Sequence, residues 1–245
     1  MDTQGDNERL ILEASGVLAR LRAERPRVHC LTNFVAMQLT ANLLLAAGAV
    51  PSMTMDAAEM PAFVETSRAL LVNLGMLDPW RQAAIPAALD AAAGLDRPWV
   101  LDPVKVDRAP HRREFAADLL GRDPAVLRCH AVEAAMLEPG PHIVTAVTGA
   151  TDAVRQGERR TRLGGGTPLM DRVTAMGCAA SGLVAACLAV EPDPYLATVS
   201  GLLVMKVAGA MAAEKAGGPG SFAPLFLDAV FGLDAATLQK RAQLT

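Results

Sequence analysis

Cysteine is scarce in this chain of 245 residues: Cys30, Cys129, Cys178 and Cys187 are the full complement, and no CxxC pair occurs among them. That argues against a thiolate zinc site and a disulfide scaffold, and points to a reducing, cytoplasmic setting. His29, His111, His130 and His142 are scattered without metal-ligand spacing, so a histidine zinc site is not expected either. Aromatic residues make up only 4%, and 23 Lys and Arg against 26 Asp and Glu give a net charge of −3. The chain has neither the basic footprint nor the stacking surface of a nucleic-acid binder. Residues 1–8 are acidic instead of apolar, unlike a signal peptide. Neither GxxxxGK[ST] nor GxGxxG is present, so any nucleotide is held by another device. Long apolar spans are missing too. The uncharged stretch 31–55 is interrupted by Asn33, Gln38, Asn42, Gly48 and Pro51, and stretch 175–190 is shorter than the ~20 residues a membrane span needs. Both are expected to be buried helices, and no membrane or nucleic-acid partner is expected.

What is present is a recurring short apolar run with helical sequence between: 27–31, 49–53, 69–74, 99–101, 125–127 and 143–147. Runs that are apolar throughout belong to a mainly parallel sheet covered on both faces. The chain is therefore expected to form one α/β domain over residues 1–245, a three-layer α/β/α sandwich. Between 153 and 163 the pattern changes to a polar hairpin around Gln156-Gly157-Glu158, expected to be exposed.

Five of these runs carry a polar group at or just past their end: Asn33, Asn73, Asp102, Arg128, and Thr148 with Gly149. The carboxyl ends of parallel strands line a ligand crevice, so these groups are expected to converge there. Ala175-Met176-Gly177-Cys178 opens an alanine-rich helix whose unpaired N–H groups suit an anion. The helix field is expected to lower the Cys178 thiol pKa, although an inert helix start with a buried cysteine is the competing reading. Asp102 and Glu133 are carboxylates suited to Mg²⁺, and Arg128 is a guanidinium suited to phosphate. Met53 is one of several methionines near the first polar strand end and suits an apolar pocket. Ala216-Gly217-Gly218-Pro219-Gly220-Ser221-Phe222 breaks one helix before another restarts at Ala223.

Taken in order, Val28-His29-Cys30-Leu31-Thr32-Asn33, Thr40-Ala41-Asn42, Leu45-Ala46-Ala47-Gly48-Ala49, Pro98-Trp99-Val100-Leu101-Asp102-Pro103-Val104, Val147-Thr148-Gly149, Pro168-Leu169-Met170 and Gly218-Pro219-Gly220-Ser221-Phe222 resemble the hydroxyethylthiazole kinase family, a ribokinase-like group. The resemblance implies phosphorylation of the hydroxyl of 4-methyl-5-(2-hydroxyethyl)thiazole, with ATP and Mg²⁺, in a homotrimer whose active sites lie between subunits. It would make Met53 a thiazole contact, with Asn33, Ala175 and Gly177 at the substrate and its phosphate. Arg128 and Thr148 would be ATP contacts, Asp102 and Glu133 the Mg²⁺-side carboxylates, and Cys178 the group beside the acceptor hydroxyl. A non-catalytic binding protein on the same scaffold is the alternative.

This chain also departs from that pattern. Ala175 replaces a glycine, Lys105-Val106-Asp107 replaces Gly-Val-Gly, and His130 replaces an asparagine. A stretch of roughly 25 residues is lacking between Met136 and His142, far longer than an ordinary loop change, so one covering helix is expected to be absent.

Overall fold

The computed structural model describes residues 3–245. Eight strands form one sheet: β1 (Arg27–Leu31), β2 (Val50–Ser52), β3 (Ala69–Asn73), β4 (Trp99–Asp102), β5 (Val126–Cys129), β6 (Val144–Val147), β7 (Asp152–Gln156) and β8 (Arg159–Leu163). Their order is β2-β1-β3-β4-β5-β6-β7-β8, parallel through β6 and antiparallel for the last two. The six apolar runs are thus the six parallel strands. The hairpin is strands too, but it extends the central sheet by pairing with β6, and Asp152, Val154 and Leu163 are buried by one layer of helices.

Alternate residues of each strand enter different cores, which is why the strands are apolar throughout. Val28, Cys30, Leu71, Val100, Val126 and Val144 face a core shared with α1 (Thr3–Glu24), α2 (Met37–Ala47), α7 (Met176–Leu188), α8 (Pro194–Ala213), α9 (Pro219–Gly232) and α10 (Ala235–Arg241). Leu31, Leu70, Val72, Leu101 and Leu127 face a second core under α3 (Met60–Glu65), α4 (Pro79–Ala93) and α5 (Pro110–Leu120). The restart after the glycine-rich turn comes at Pro219, earlier than Ala223, because proline is tolerated in a helix's first turn.

Both uncharged stretches are helical inside the first core, as α2 and α7. Small residues set their spacing: a Cβ on Gly182 would meet Thr40 at 2.8 Å, and one on Gly201 would meet the Val184 backbone at 3.2 Å. Helix α8, whose Lys206 keeps it from being an uncharged stretch, is long and apolar enough to cross a membrane (mean hydropathy 1.7), but 78% of that window is buried inside the fold.

The crossover from β5 to β6 carries only the four-residue α6 (Ala131–Ala134), where the preceding crossovers carry 15 and 11 helical residues. The second helical layer therefore stops at α5. The sheet face bearing Val147, Ala153, Arg155, Arg160 and Arg162 lines an open recess of about 420 Å³.

Candidate active site

The polar groups that close β1, β3 and β4 form one hydrogen-bonded row. Asn33 Nδ2 donates to Asn73 Oδ1 at 3.0 Å, and Asn73 Nδ2 donates to Asp102 Oδ2 at 2.8 Å. Ser181, one turn into α7, donates to the same Asp102 oxygen at 2.8 Å. Asn33 Nδ2 also lies 3.6 Å from Cys178 Sγ, which ties the row to the start of α7. Neighbouring parallel strands put these side chains at one level, so the row follows from the register Asn73↔Asp102.

The two oxygens of Asp102 have different circumstances. Oδ2 accepts twice, while Oδ1 is buried without a hydrogen-bond partner and faces Arg128 Nη1 at 3.8 Å. Burial pushes the Asp102 pKa up, and Arg128 pulls it back down. Arg128, nearly buried, donates to the Thr148 hydroxyl through Nη2, and its Nε is also unpartnered. An orphaned guanidinium nitrogen beside an orphaned carboxylate oxygen is a place where an anion and its counter-cation find partners.

Arg128 reaches the start of α7 because Gly177 has no side chain. A Cβ there would meet both terminal guanidinium nitrogens at 2.8 Å. Ala175 caps that helix at φ 71, the left-handed conformation glycine adopts freely, so the alanine sits there under strain. A cavity of about 690 Å³ opens on this helix start. Ala175, Gly177, Arg128, Thr148 and Lys105 line it.

Glu133 is not a bare carboxylate. Oε2 accepts from the His130 N–H at 2.8 Å and Oε1 from the Lys105 N–H at 2.6 Å, so it clasps the β4 and β5 loops together. His130 Nδ1 lies 3.1 Å from Thr148 O, at the cavity's edge. Met53 is partly buried just past β2 and packs against the first core. It stands at the end of the strand next to β1, beside Asn33's strand end, and outside the cavity.

The thiol corrects the sequence expectation. Burial, reinforced by Asp102, pushes the Cys178 pKa up to about 11, so the environment outweighs the field of the helix start and the group is a neutral thiol near pH 7. Among the described residues no cluster of three or more His, Cys, Asp or Glu is placed to hold a metal. Sequence reasoning did not find Ser181. It also did not find Lys206, whose buried ammonium donates to Gly149 O at 2.8 Å and pairs with Asp152 at 3.1 Å, fixing the loop after β6. A serine and a lysine inside otherwise apolar helices were the available signals.

The sequence profile of the hydroxyethylthiazole kinase family matches residues 18–140 and 140–236. The chain is 38% identical over 231 residues to a probable hydroxyethylthiazole kinase of Agrobacterium fabrum, covering 94% of each. It is 41% identical over 253 residues to a hydroxyethylthiazole kinase of Cereibacter sphaeroides, covering 93% of this chain and 96% of that one. The second alignment leaves about 25 residues of the Cereibacter protein without a counterpart, and the first leaves almost none, so the Agrobacterium protein shares the shortened length. The solved hydroxyethylthiazole kinase of Pyrococcus horikoshii superposes with a TM-score of 0.91 at 32% identity, covering 95% and 98% of the two chains. A Staphylococcus aureus pyridoxal kinase superposes at a TM-score of 0.55 and 16% identity, over 76% and 88%, which shows that the fold is ribokinase-like. With the profile spanning nearly the whole chain and these relatives aligning from end to end, the chain belongs to the hydroxyethylthiazole kinase family.

Proposed function

We propose that this protein transfers the terminal phosphoryl group of ATP to the hydroxyl of 4-methyl-5-(2-hydroxyethyl)thiazole, as part of thiamine biosynthesis in the cytoplasm. The observation that carries the reading is the convergence of Arg128, Asp102 and the α7 start on one crevice at the strand ends of a family member. Phosphoryl transfer needs alignment and charge neutralisation more than covalent chemistry, and these groups supply both.

In this reading Arg128, Thr148 and the N–H groups beyond Ala175 hold the phosphates. Asn33, Cys178 and Met53 face the thiazole alcohol. Cys178, as a neutral thiol, positions the hydroxyl by hydrogen bonding, and as the new O–P bond forms and the bond to ADP breaks the alcohol's proton passes to an oxygen of the transferred phosphoryl group. Asp102 Oδ1 is the available carboxylate oxygen, and Glu133 is already engaged by two backbone N–H groups. That donor set fits Mg²⁺, which takes one or two carboxylates together with waters and phosphate oxygens. When bound, the ion neutralises charge on the transferring phosphates.

The assembly is proposed to be a homotrimer with sites between subunits. Phe34 and Met76 expose 62% and 54% of their surface on the loops after β1 and β3, next to Asn33 and beside the strand end that carries Met53. An apolar rim of this kind at an acceptor site suits closure by a neighbouring copy. The test is ADP release with Mg-ATP, with and without the thiazole alcohol. Thiazole-dependent release that is lost in Asp102→Ala supports the kinase. Folded protein that binds ATP yet turns nothing over favours a binding-only relative.

A further inference from the structure

The loop leaving β4 holds two successive non-glycine residues at positive φ, Val104 at 32° and Lys105 at 63°. A β-branched residue there is a genuine outlier, and such strain persists where the surroundings enforce it, typically at functional sites. The surroundings do so here. The Lys105 N–H donates to Glu133 Oε1 at 2.6 Å, Arg112 Nη1 donates to Val104 O at 2.7 Å, and Val106 is fully buried in the second core. Glycine would satisfy this backbone at position 105 with no steric cost. A lysine held there at a cost to folding points to use of its side chain.

That side chain is exposed and lines the cavity with Arg128, Thr148 and Gly177. Of the other charged groups around it, Asp107 pairs with Arg108, Glu133 with two backbone N–H groups and Lys206 with Asp152, while Arg128 is held by Thr148 and Asp102 with its Nε unpartnered, and Asp171 on the same lining is exposed to solvent. The Lys105 ammonium makes no hydrogen bond or ion pair with any other described residue. We infer that Lys105 is a phosphate-binding residue, a second cation that meets the terminal phosphates of the nucleotide from the β4 side of the cavity while Arg128 meets them from β5. The inference rests on the kinase reading above and adds a residue to it.

The test is equilibrium binding of ATP, ADP and AMP to the full-length protein, with Lys105→Gly, Lys105→Gln and Lys105→Arg as variants. Lys105→Gly and Lys105→Gln are expected to weaken ATP about ten-fold while changing AMP less than two-fold, and Lys105→Arg to restore ATP. Lys105→Gly is also expected to melt ~2–4 °C higher, since it relieves the strained backbone, whereas Lys105→Gln keeps the strain and gains nothing. ATP affinity within two-fold of wild type in both neutral variants overturns the inference, as does equal weakening of ATP and AMP. If wild-type protein binds ATP and those variants match it, only the role of Lys105 falls. If wild-type protein binds no ATP, the kinase reading falls and takes this inference with it.

Discussion

Ala175 and Cys178 sit three residues apart at the start of α7, the first in a left-handed conformation at φ 71 and the second mostly buried beside Asp102. Ala175 stands where the resembling family has a glycine, and it does adopt the left-handed conformation that glycine takes freely. Ala175→Gly is therefore expected to stabilise the protein by ~1 kcal/mol, read as a melting temperature ~2–4 °C higher. An unchanged or lower value would show that the alanine methyl makes packing contacts that offset the strain. Of the two readings of Cys178 the lowered pKa fails and the buried cysteine holds, because the pKa depends on how deeply helix α7 settles against Asp102, which no local pattern records. With the thiol at about 11, alkylation by iodoacetamide should be slow at pH 7 and rise about ten-fold per pH unit to roughly pH 10. Cys30, Cys129 and Cys187 are buried and pushed up to about 12, so they do not confuse the readout. A plateau below pH 8 would mean a thiolate exists at neutral pH, and Cys178 would then be a base.

At the scale of the element, the strands, the helices of the two uncharged stretches and the missing cover after β5 were legible, and the polar residues that helices bring to the site were not. Runs such as 27–31 and 69–74 gave β1 and β3 to within a residue because a strand buried on both faces leaves a local mark. Ser181 and Lys206 joined the site from helices that read as plain core, since a single polar residue in an apolar helix does not say which strand end it meets. The hairpin was read as a separate exposed feature because its outward face is charged. That face carries Arg155 directly opposite Arg160, with Arg162 two residues further along the same strand face. Like charges opposed across strands are destabilising, and the layer of helices that ends at α5 leaves this pair open to water. Arg155→Thr is expected to raise stability by ~0.5 kcal/mol at low salt, with the gain shrinking as salt screens the pair. Chemical denaturation at two ionic strengths decides it.

His29 links three elements. It stands on β1, its Nδ1 lies 3.0 Å from Ser52 Oγ on the edge strand β2, and its ring lies 5.3 Å from Phe63 of α3. Burial lowers its pKa to about 4, below the unfolded value of 6.5, so the folded state holds it neutral. A folded pKa below the unfolded one gives stability that is complete above pH 6.5 and lost as the pH falls toward 4. His29→Gln should abolish up to about 3 kcal/mol of that acid-side loss, seen as a flatter stability curve between pH 6.5 and 4.5 than wild type. Parallel curves would mean that His29 is solvated in the folded state.

The whole molecule divides its site between two kinds of surface. The proposed phosphate side is an open cavity that Arg128, Thr148 and Gly177 line from a single chain. The proposed acceptor side, at the ends of β1, β2 and β3, is an open apolar rim of Phe34, Met76 and the partly buried Met53. A small heterocyclic alcohol needs most of its surface buried to be bound tightly, and an open rim on one chain does not supply that. The proposed trimer makes the difference measurable, since the two halves of the site should respond differently when subunits separate. Phe34→Glu places a charge on the rim without touching the cavity, so it should shift the protein toward monomer in sedimentation. It should raise the KM for the thiazole alcohol ten-fold or more, yet leave ATP affinity within two-fold. Monomer with an unchanged thiazole KM would put the acceptor site within a single chain, and equal loss of ATP affinity would show that the cavity also needs the neighbouring subunit.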